Sequence, residues 1–485
     1  MIPIVTPAEM AEIDAAAPEG TDVLVSRAGA AVAIEARRMM GGTYGRRVLV
    51  AAGKGNNGAD GRVAATALER WGVRCRTVMP TEALELVAAA NAAPGASAPW
   101  DLVIDAAYGT GLRGSWGADR PPPVPVLAVD IPSGIDALTG EDYGCWPATS
   151  TITFGAFKPG LLLHPGAAAA GEVQLAPIGL DTSGATSWLV TDADADMALR
   201  GPEPTAHKWR RAVRVIAGSP QMRGAGHLVC AAAQQTGAGM VVISSPGLRA
   251  ADVARPAEAV AGDLRPGNWA EASLEGIERF DAAVIGPGIG TDPTALAQMA
   301  RFISECPVPL VVDADALSAV GDHPECLCAR TAPTVLTPHE GEFARLAGGP
   351  PAADRFDAVR QAAAALGVIV LLKGPTTLVS VPPSESGSST VLAVTSGTER
   401  LATAGSGDVL SGVIAAVLAG EAPGRDLDDI AVSVAAAAHW HGRTASIATA
   451  GGVTGSTPLL ASAQADLLEA ARAELADAPA DRRRP

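Results

Sequence analysis

Short apolar runs that end in glycine-rich turns and lead into helices recur along this chain, and few architectures accept that alternation. Arg47 to Ala52 (RVLVAA) runs into Gly53-Lys54-Gly55-Asn56-Asn57-Gly58-Ala59-Asp60-Gly61 and an amphipathic helix to Trp71. Further along, Thr403-Ala404-Gly405-Ser406-Gly407-Asp408 leads straight into a helix with apolar positions Val409, Leu410, Val413, Ile414, Val417 and Leu418. Strand, tight turn and helix repeated in this way build a parallel sheet with helices on both faces. Ligands of such sheets bind outside the carboxyl ends of the strands, where these turns lie.

A chain of 485 residues exceeds what one core usually serves, so two doubly wound α/β domains are expected. The text turns polar and irregular from Asp181 to Thr205, which puts the division at residues 1–198 and 199–480. A net charge of -16 argues against a general binder of nucleic-acid backbones, which concentrates Lys and Arg. Cys75, Cys145, Cys230, Cys306, Cys326 and Cys328 are scattered, and no signal peptide or long apolar span accompanies them. A reduced, cytoplasmic protein with no membrane partner is expected. His323 near Cys326 and Cys328 lacks a second pair at zinc spacing, and His439 and His441 face different sides of a helix, so neither reads as a metal site.

In the first half, Thr6-Pro7-Ala8-Glu9 is a capping box, and a second helix ends at Gly41-Gly42. Gly53, Gly55 and Gly58 satisfy GxGxxG, but the strand Val73 to Met79 does not end in the acidic residue that would hold a ribose. A standard dinucleotide dehydrogenase site is thereby disfavoured. Two more strands end in Gly109-Thr110-Gly111-Leu112-Arg113-Gly114 and in Asp130-Ile131-Pro132-Ser133-Gly134. Asn57, Asp60, Asp105, Asp130 and Ser133 therefore meet at one sheet edge, where oxygens suit a hard cation and the glycine loops with Arg113 suit a phosphate. Lys158-Pro159-Gly160 lies between two further strands.

In the second half, strand ends lead to Arg223-Gly224-Ala225-Gly226, to Gly286-Pro287-Gly288, to Asp313-Ala314-Asp315, to Thr337-Pro338-His339-Glu340-Gly341-Glu342 and to Lys373-Gly374-Pro375-Thr376-Thr377. A hairpin is expected across Pro382 to Ser389, and the Arg482-to-Pro485 tail reads as disordered. The unpaired N–H groups where the Ser406 helix begins form an anion hole. Asp408 beside it suits a base that removes a proton from a hydroxyl attacking phosphate, although a first-turn Asp can also serve only the helix dipole.

With these turns in order from Thr6 to about Leu475, the chain resembles the bifunctional NAD(P)H-hydrate repair enzymes. The first half resembles the YjeF N-terminal, or NAD(P)H-hydrate epimerase, domain, which is Rossmann-like. The second resembles the ribokinase-like ADP- or ATP-dependent NAD(P)H-hydrate dehydratase. The family's NNGGDG loop stands here as Asn56-Asn57-Gly58-Ala59-Asp60-Gly61, with Ala for one Gly; its DIPSG turn is intact at Asp130 to Gly134; its His-Lys-Gly opening stands as His207-Lys208-Trp209. The resemblance implies that Asn56, Asn57, Gly58, Ala59, Asp60, Gly109, Thr110, Gly111, Leu112, Arg113, Gly114, Ser115 and Asp130 hold the hydrate, with potassium at Asn57, Asp105 and Ser133. It also implies that Ala225, Gly288, His339 and Asp408 bind the hydrate in the second domain, while Lys373, Gly374, Pro375, Thr376, Thr377 and Gly407 bind ADP or ATP. Magnesium is expected with the nucleotide, near Asp313 and Asp315, and a homo-oligomer is expected.

On this reading Asp408 starts dehydration by taking the proton of the substrate hydroxyl as it attacks the terminal phosphate of ADP or ATP, and Asp130 is the acid-base group that interconverts the R and S hydrates. Two alternatives stay open: a small-molecule kinase, since GSGD alone does not separate phosphorylation from phosphorylation with elimination, and a silent first domain that only binds.

Overall fold

The computed structural model describes residues 1–92, 99–112, 114–118, 120–199, 201, 207–383, 387, 389–450 and 457–477. Arg113 and the Arg482-to-Pro485 tail, both singled out above, lie outside the described residues. The chain divides into two compact units, Ile2–Thr186 and the residues from Ser187 onward. That division precedes the expected one at 198/199.

The first unit has strands β1 (Ile2–Ile4), β2 (Arg47–Ala52), β3 (Arg74–Val78), β4 (Leu102–Ala106), β5 (Val126–Val129), β6 (Ser150–Phe154) and β7 (Glu172–Ala176). Six of them form a sheet of order β3-β2-β4-β5-β6-β7, parallel throughout. Strands β4 and β5 are buried at every position, which explains why they read as apolar runs broken only by Asp105. The helix Thr21–Met40 ends at Gly41 in the left-handed conformation, and Thr6 and Glu9 close the capping box of Pro7–Ala16.

The second unit adds β8 (Ser187–Leu189), β9 (Ala212–Ile216), β10 (Met240–Ser244), β11 (Val260–Ala261), β12 (Ala282–Ile285), β13 (Leu310–Val312), β14 (Thr334–Leu336), β15 (Ile369–Leu372), β16 (Thr377–Ser380) and β17 (Val391–Val394). Their order is β8-β17-β16-β15-β14-β13-β12-β9-β10-β11. The pairings are parallel except at β15-β16 and β16-β17, so the sheet is mixed where the sequence pattern suggested a parallel one. The expected hairpin across Pro382 to Ser389 supplies the β16-β17 pairing; the β15-β16 pairing turns instead at Lys373 to Thr376.

Ser187–Leu189 and the helix Asp192–Ala198 occupy the stretch that read as irregular. A three-residue strand is too short to show alternation, and the alternating Asp and Ala of DADADMA hide a helix whose Ala195 is buried beside Leu189 and Val190 of the preceding strand and turn. Three Asp residues in that short helix strengthen the impression of a linker.

Candidate active sites

In the first unit, helix Asn56–Arg70 begins inside the nine-residue glycine stretch Gly53 to Gly61, so Asn56, Asn57 and Asp60 lie on its first turns. Two glycines make this possible. A Cβ on Gly53 would fall 2.0 Å from the Ala107 carbonyl, and one on Gly58 would fall 1.9 Å from the Gly53 carbonyl. Strand end, helix start and the β4 turn thus interlock at backbone distance. Ala59 is helical, so its methyl meets no positive-φ demand.

Asp105 ends β4 fully buried. It accepts from Ser133 N at 2.9 Å, Ser133 Oγ at 2.6 Å and Ala107 N at 3.2 Å, none of them cationic. Burial outweighs these bonds and pushes its carboxyl up to about 6. Beside it, both polar atoms of the Asn57 amide are buried without a partner, and Gly109 packs against Asn57, with its Cβ position 3.5 Å from Nδ2. Ser115 turns away to donate to the Tyr143 carbonyl at 2.8 Å, which fastens the 109–115 loop.

Asp130 ends β5 with a left-handed φ of 66°. Its Oδ1 accepts from Lys158 Nζ at 2.6 Å and from Thr153 Oγ1 at 3.2 Å. Asp60 is buried, and burial first, then Asp130 and Asp14, push it up to about 8. Burial also raises Asp14, which feels Lys158 and Asp130. Lys158 and Asp14 were not read as site residues, although a lone lysine in the apolar text TITFGAFKPG was a usable signal.

In the second unit, Gly405 takes a φ of 89° at the N-cap of helix Ser406–Leu418. The Asp408 carboxylate curls back toward it, with Oδ2 3.8 Å from the Gly405 Cβ position. Lys373 Nζ lies 3.4 Å from the Cβ position of Gly407, so an ammonium sits over a helix N-terminus. Burial first, then Asp313, push Asp408 up to about 7; Lys373 opposes and Asp315 adds a smaller push.

Asp313 holds this arrangement together. Its Oδ1 accepts from Lys373 Nζ at 2.9 Å and Thr337 Oγ1 at 2.8 Å, and its Oδ2 accepts from Ser411 Oγ at 2.6 Å. Burial alone would raise it, but Lys373 and these hydrogen bonds hold it below the usual carboxylate range. Burial likewise pulls Lys373 down, and Asp313, Glu342 and Asp408 outweigh it, so the ammonium stays above its ordinary value. All three donors to Asp313 come from the protein itself. Asp315 accepts from Gly290 N at 2.8 Å. Among the described residues no group of three or more His, Cys, Asp or Glu is placed to hold a metal.

His339 is the N-cap of helix Glu340–Ala347; its Nδ1 accepts from Gly341 N and Glu342 N, and its Nε2 lies 3.5 Å from Glu342 Oε1 in a side chain that is 59% exposed. Lys373 N donates to the Pro338 carbonyl at 2.8 Å, which ties that turn to the 373–377 segment. Ala225 and Gly288 are neighbours, 3.0 Å apart at their Cβ positions. The structure therefore brings Ala225 to Gly288, and Lys373 and Gly407 to Asp408. Thr337, Glu342 and Ser411 were missed as parts of the site; Ser411, one turn after Gly407 in an apolar helix, was the readable sign.

Comparison with known proteins follows the same division. A family described as YjeF-related protein N-terminus matches residues 21–160, and one described as NAD(P)H-hydrate dehydratase matches residues 213–465. The chain is 40% identical over 437 residues to the bifunctional NAD(P)H-hydrate repair enzyme Nnr of Mycobacterium tuberculosis, covering 84% of this chain and 86% of that one. It is 37% identical over 492 residues to the enzyme of that name from Mycobacterium leprae, covering 96% and 97%. A solved ribokinase-like superfamily protein from Enterococcus faecalis shares the fold at 21% identity and a TM-score of 0.50, over 60% of this chain and 96% of its own. With both domain families matched in order and relatives aligned across most of its length, this chain belongs to the bifunctional NAD(P)H-hydrate repair enzymes.

Proposed function

We propose that the two domains carry successive steps in the repair of hydrated NADH and NADPH, with Asp130 serving epimerisation and Asp408 serving dehydration. The observation that supports this most directly is the pairing of Asp408 with an ammonium-capped helix N-terminus, since it places a base next to a phosphate-binding patch.

Hydration leaves a hydroxyl on C6 of the nicotinamide ring, and hydroxide is a poor leaving group. Asp408 takes the hydroxyl proton, the oxygen attacks the terminal phosphate of ADP or ATP, and AMP or ADP departs. The C6–O bond of the phosphate ester then breaks with help from the ring nitrogen, phosphate leaves, a ring proton is lost and NAD(P)H returns. Lys373 and the N–H groups at Gly407 neutralise the phosphate as charge builds on it. The segment Lys373 to Thr377 and Gly407 hold the nucleotide, while Ala225, Gly288 and the exposed side chain of His339 face the hydrate. Magnesium would come with the phosphates of the co-substrate and would supply positive charge there, as suits an ion that keeps few protein ligands.

Such a site accepts one hand of the C6 centre, so the R form must be inverted first. Asp130 is the acid-base group for that step, in a pocket made by residues 56–60 and 109–115. Asn57, Asp105 and Ser133 suit potassium, because the buried amide oxygen of Asn57 lacks a partner and the Asp105 carboxylate lacks a cation. The ion would supply positive charge beside the reacting ring. Six unpaired cysteines agree with a reducing, cytoplasmic setting.

The test uses purified full chain, separated hydrate epimers and each nucleotide in turn, following reduced-nicotinamide absorbance and phosphorylated products. Recovery of NAD(P)H from both epimers with ADP or ATP consumed is expected; a stable phosphorylated hydrate would favour a kinase. Melting of the first domain should move up in potassium relative to lithium, and equal melting in both would remove the ion.

A further inference from the structure

Lys158 follows β6 as the N-cap of the short turn Pro159–Leu161, and its side chain is 1% exposed. An ammonium has three N–H donors, and all three are taken: Asp130 Oδ1 at 2.6 Å, Thr153 Oγ1 at 3.0 Å and the Phe154 carbonyl at 3.0 Å. None remains for a substrate. Lys158 thus acts only through what it holds.

What it holds is one oxygen of Asp130. The two hydrogen bonds to that carboxylate among the described residues both fall on Oδ1, so Oδ2 is left toward the 17% of the side chain that solvent reaches. The two turns are fastened independently of the ion pair. Gly160 N donates to the Ala137 carbonyl at 2.8 Å, and a Cβ on Gly160 would lie 2.1 Å from the Asp136 carbonyl. The left-handed backbone at Asp130 completes an over-determined placement.

The charges around Asp130 come from three elements: Asp60 on helix Asn56–Arg70, Asp14 on helix Pro7–Ala16, and Lys158. Three carboxylates share this corner with one ammonium. We propose that Lys158 is the positioning residue of epimerisation, pinning Asp130 by one oxygen so that the other meets the substrate and supplying the one ammonium that faces Asp130, Asp60 and Asp14. This rests on Asp130 being the base, which Asp130→Asn tests separately: a variant that still epimerises removes that assignment whatever Lys158 does.

The test follows interconversion of separated epimers across pH in full-length Lys158→Met. The acid limb of kcat/KM is expected to move up by about 1–3 pH units, the shift an adjacent opposite charge gives a carboxylate. KM should change less than kcat, and dehydration of the S form should stay normal, which reports an intact chain. Lys158→Met/Asp14→Asn removes one charge of each sign, and its limb should return part of the way. Should Lys158→Met fail to fold, that double variant compared with Asp14→Asn alone carries the same reading. A limb that stays in place in these variants, with activity merely lowered or unchanged, overturns the proposal.

Discussion

At the scale of single residues, the second site depends on one carboxyl that must titrate and one that must not. Asp408 lies at about 7, raised by burial and by Asp313, so dehydration should rise as pH passes from 6 to 8 and then level. Asp408→Asn should abolish that limb and slow dehydration by roughly 10²–10⁴-fold. The same shift has a stability sign. A carboxyl raised in the folded state contributes stability that is full below its unfolded value near 4 and is lost as pH rises through about 7. The second domain should therefore unfold at lower urea at pH 8 than at pH 5.5, and Asp408→Asn should flatten that difference; an unchanged difference would remove Asp408 as its source. Asp313 is the opposite case, committed to Lys373, Thr337 and Ser411. Asp313→Asn should loosen Lys373 and raise KM for the nucleotide by about 10–100-fold, the worth of a charged hydrogen bond; steady-state titration with ADP measures it, and an unmoved KM would leave Asp313 a purely structural group. The place of Asp408 on a helix's first turn was readable from sequence because a glycine turn precedes an apolar run of helical period. The role of Asp313 was not, since its three partners come from Thr337, Lys373 and Ser411, far apart in the chain.

At the scale of elements, glycines set how closely neighbours approach. Helix Ser406–Leu418 packs on helix Arg223–Gln235 with the Cβ position of Gly412 only 2.3 Å from the Val229 carbonyl. Backbone cannot yield as a side-chain end can. Gly412→Ala should destabilise the second domain by about 1–3 kcal/mol, as overpacking does, and tilt the helix that carries Asp408. Urea unfolding and dehydration kcat should both fall; a neutral variant would mean that this helix pair slides freely. Strand–turn–helix order was legible because β4, β5, β9, β12 and their like are wholly buried runs with a glycine at their end. Elements without that signature escaped. The Ala-rich stretch Leu459 to Leu475 shows no break in its pattern yet holds two helices, Ala461–Asp466 and Leu468–Asp477, and Asn56 to Asp60 read as loop because two of its first three residues are Asn and the third is Gly.

At the scale of the molecule, the question is where one domain stops. Composition favours a cut near Ala198, but Val190, Ala195 and Leu199 are buried in the same apolar cluster as the core of the second sheet. β8 pairs with β17 in parallel from Ser187↔Val391 to Leu189↔Ala393, which covers an edge that would otherwise be open. His439 Nε2 meets Asp192 at 2.7 Å, and Arg472 Nη2 donates to the Leu199 carbonyl at 3.1 Å, so the short helix is tied to both long C-terminal elements. A second-domain chain beginning at residue 201 therefore loses the burial of Leu189 and Val190, on the order of 3–6 kcal/mol together, and bares a β-strand edge. One beginning at Ser187 keeps both. Each half should fold alone when cut between Thr186 and Ser187, with cooperative unfolding and its own activity: epimerisation from the first, nucleotide-dependent dehydration from the second. The piece starting at 201 should unfold at lower urea and aggregate more readily. Equal stability of the two second-domain pieces would return β8 and its helix to the status of a linker, and loss of epimerisation from the isolated first domain would mean that the two sites are not independent.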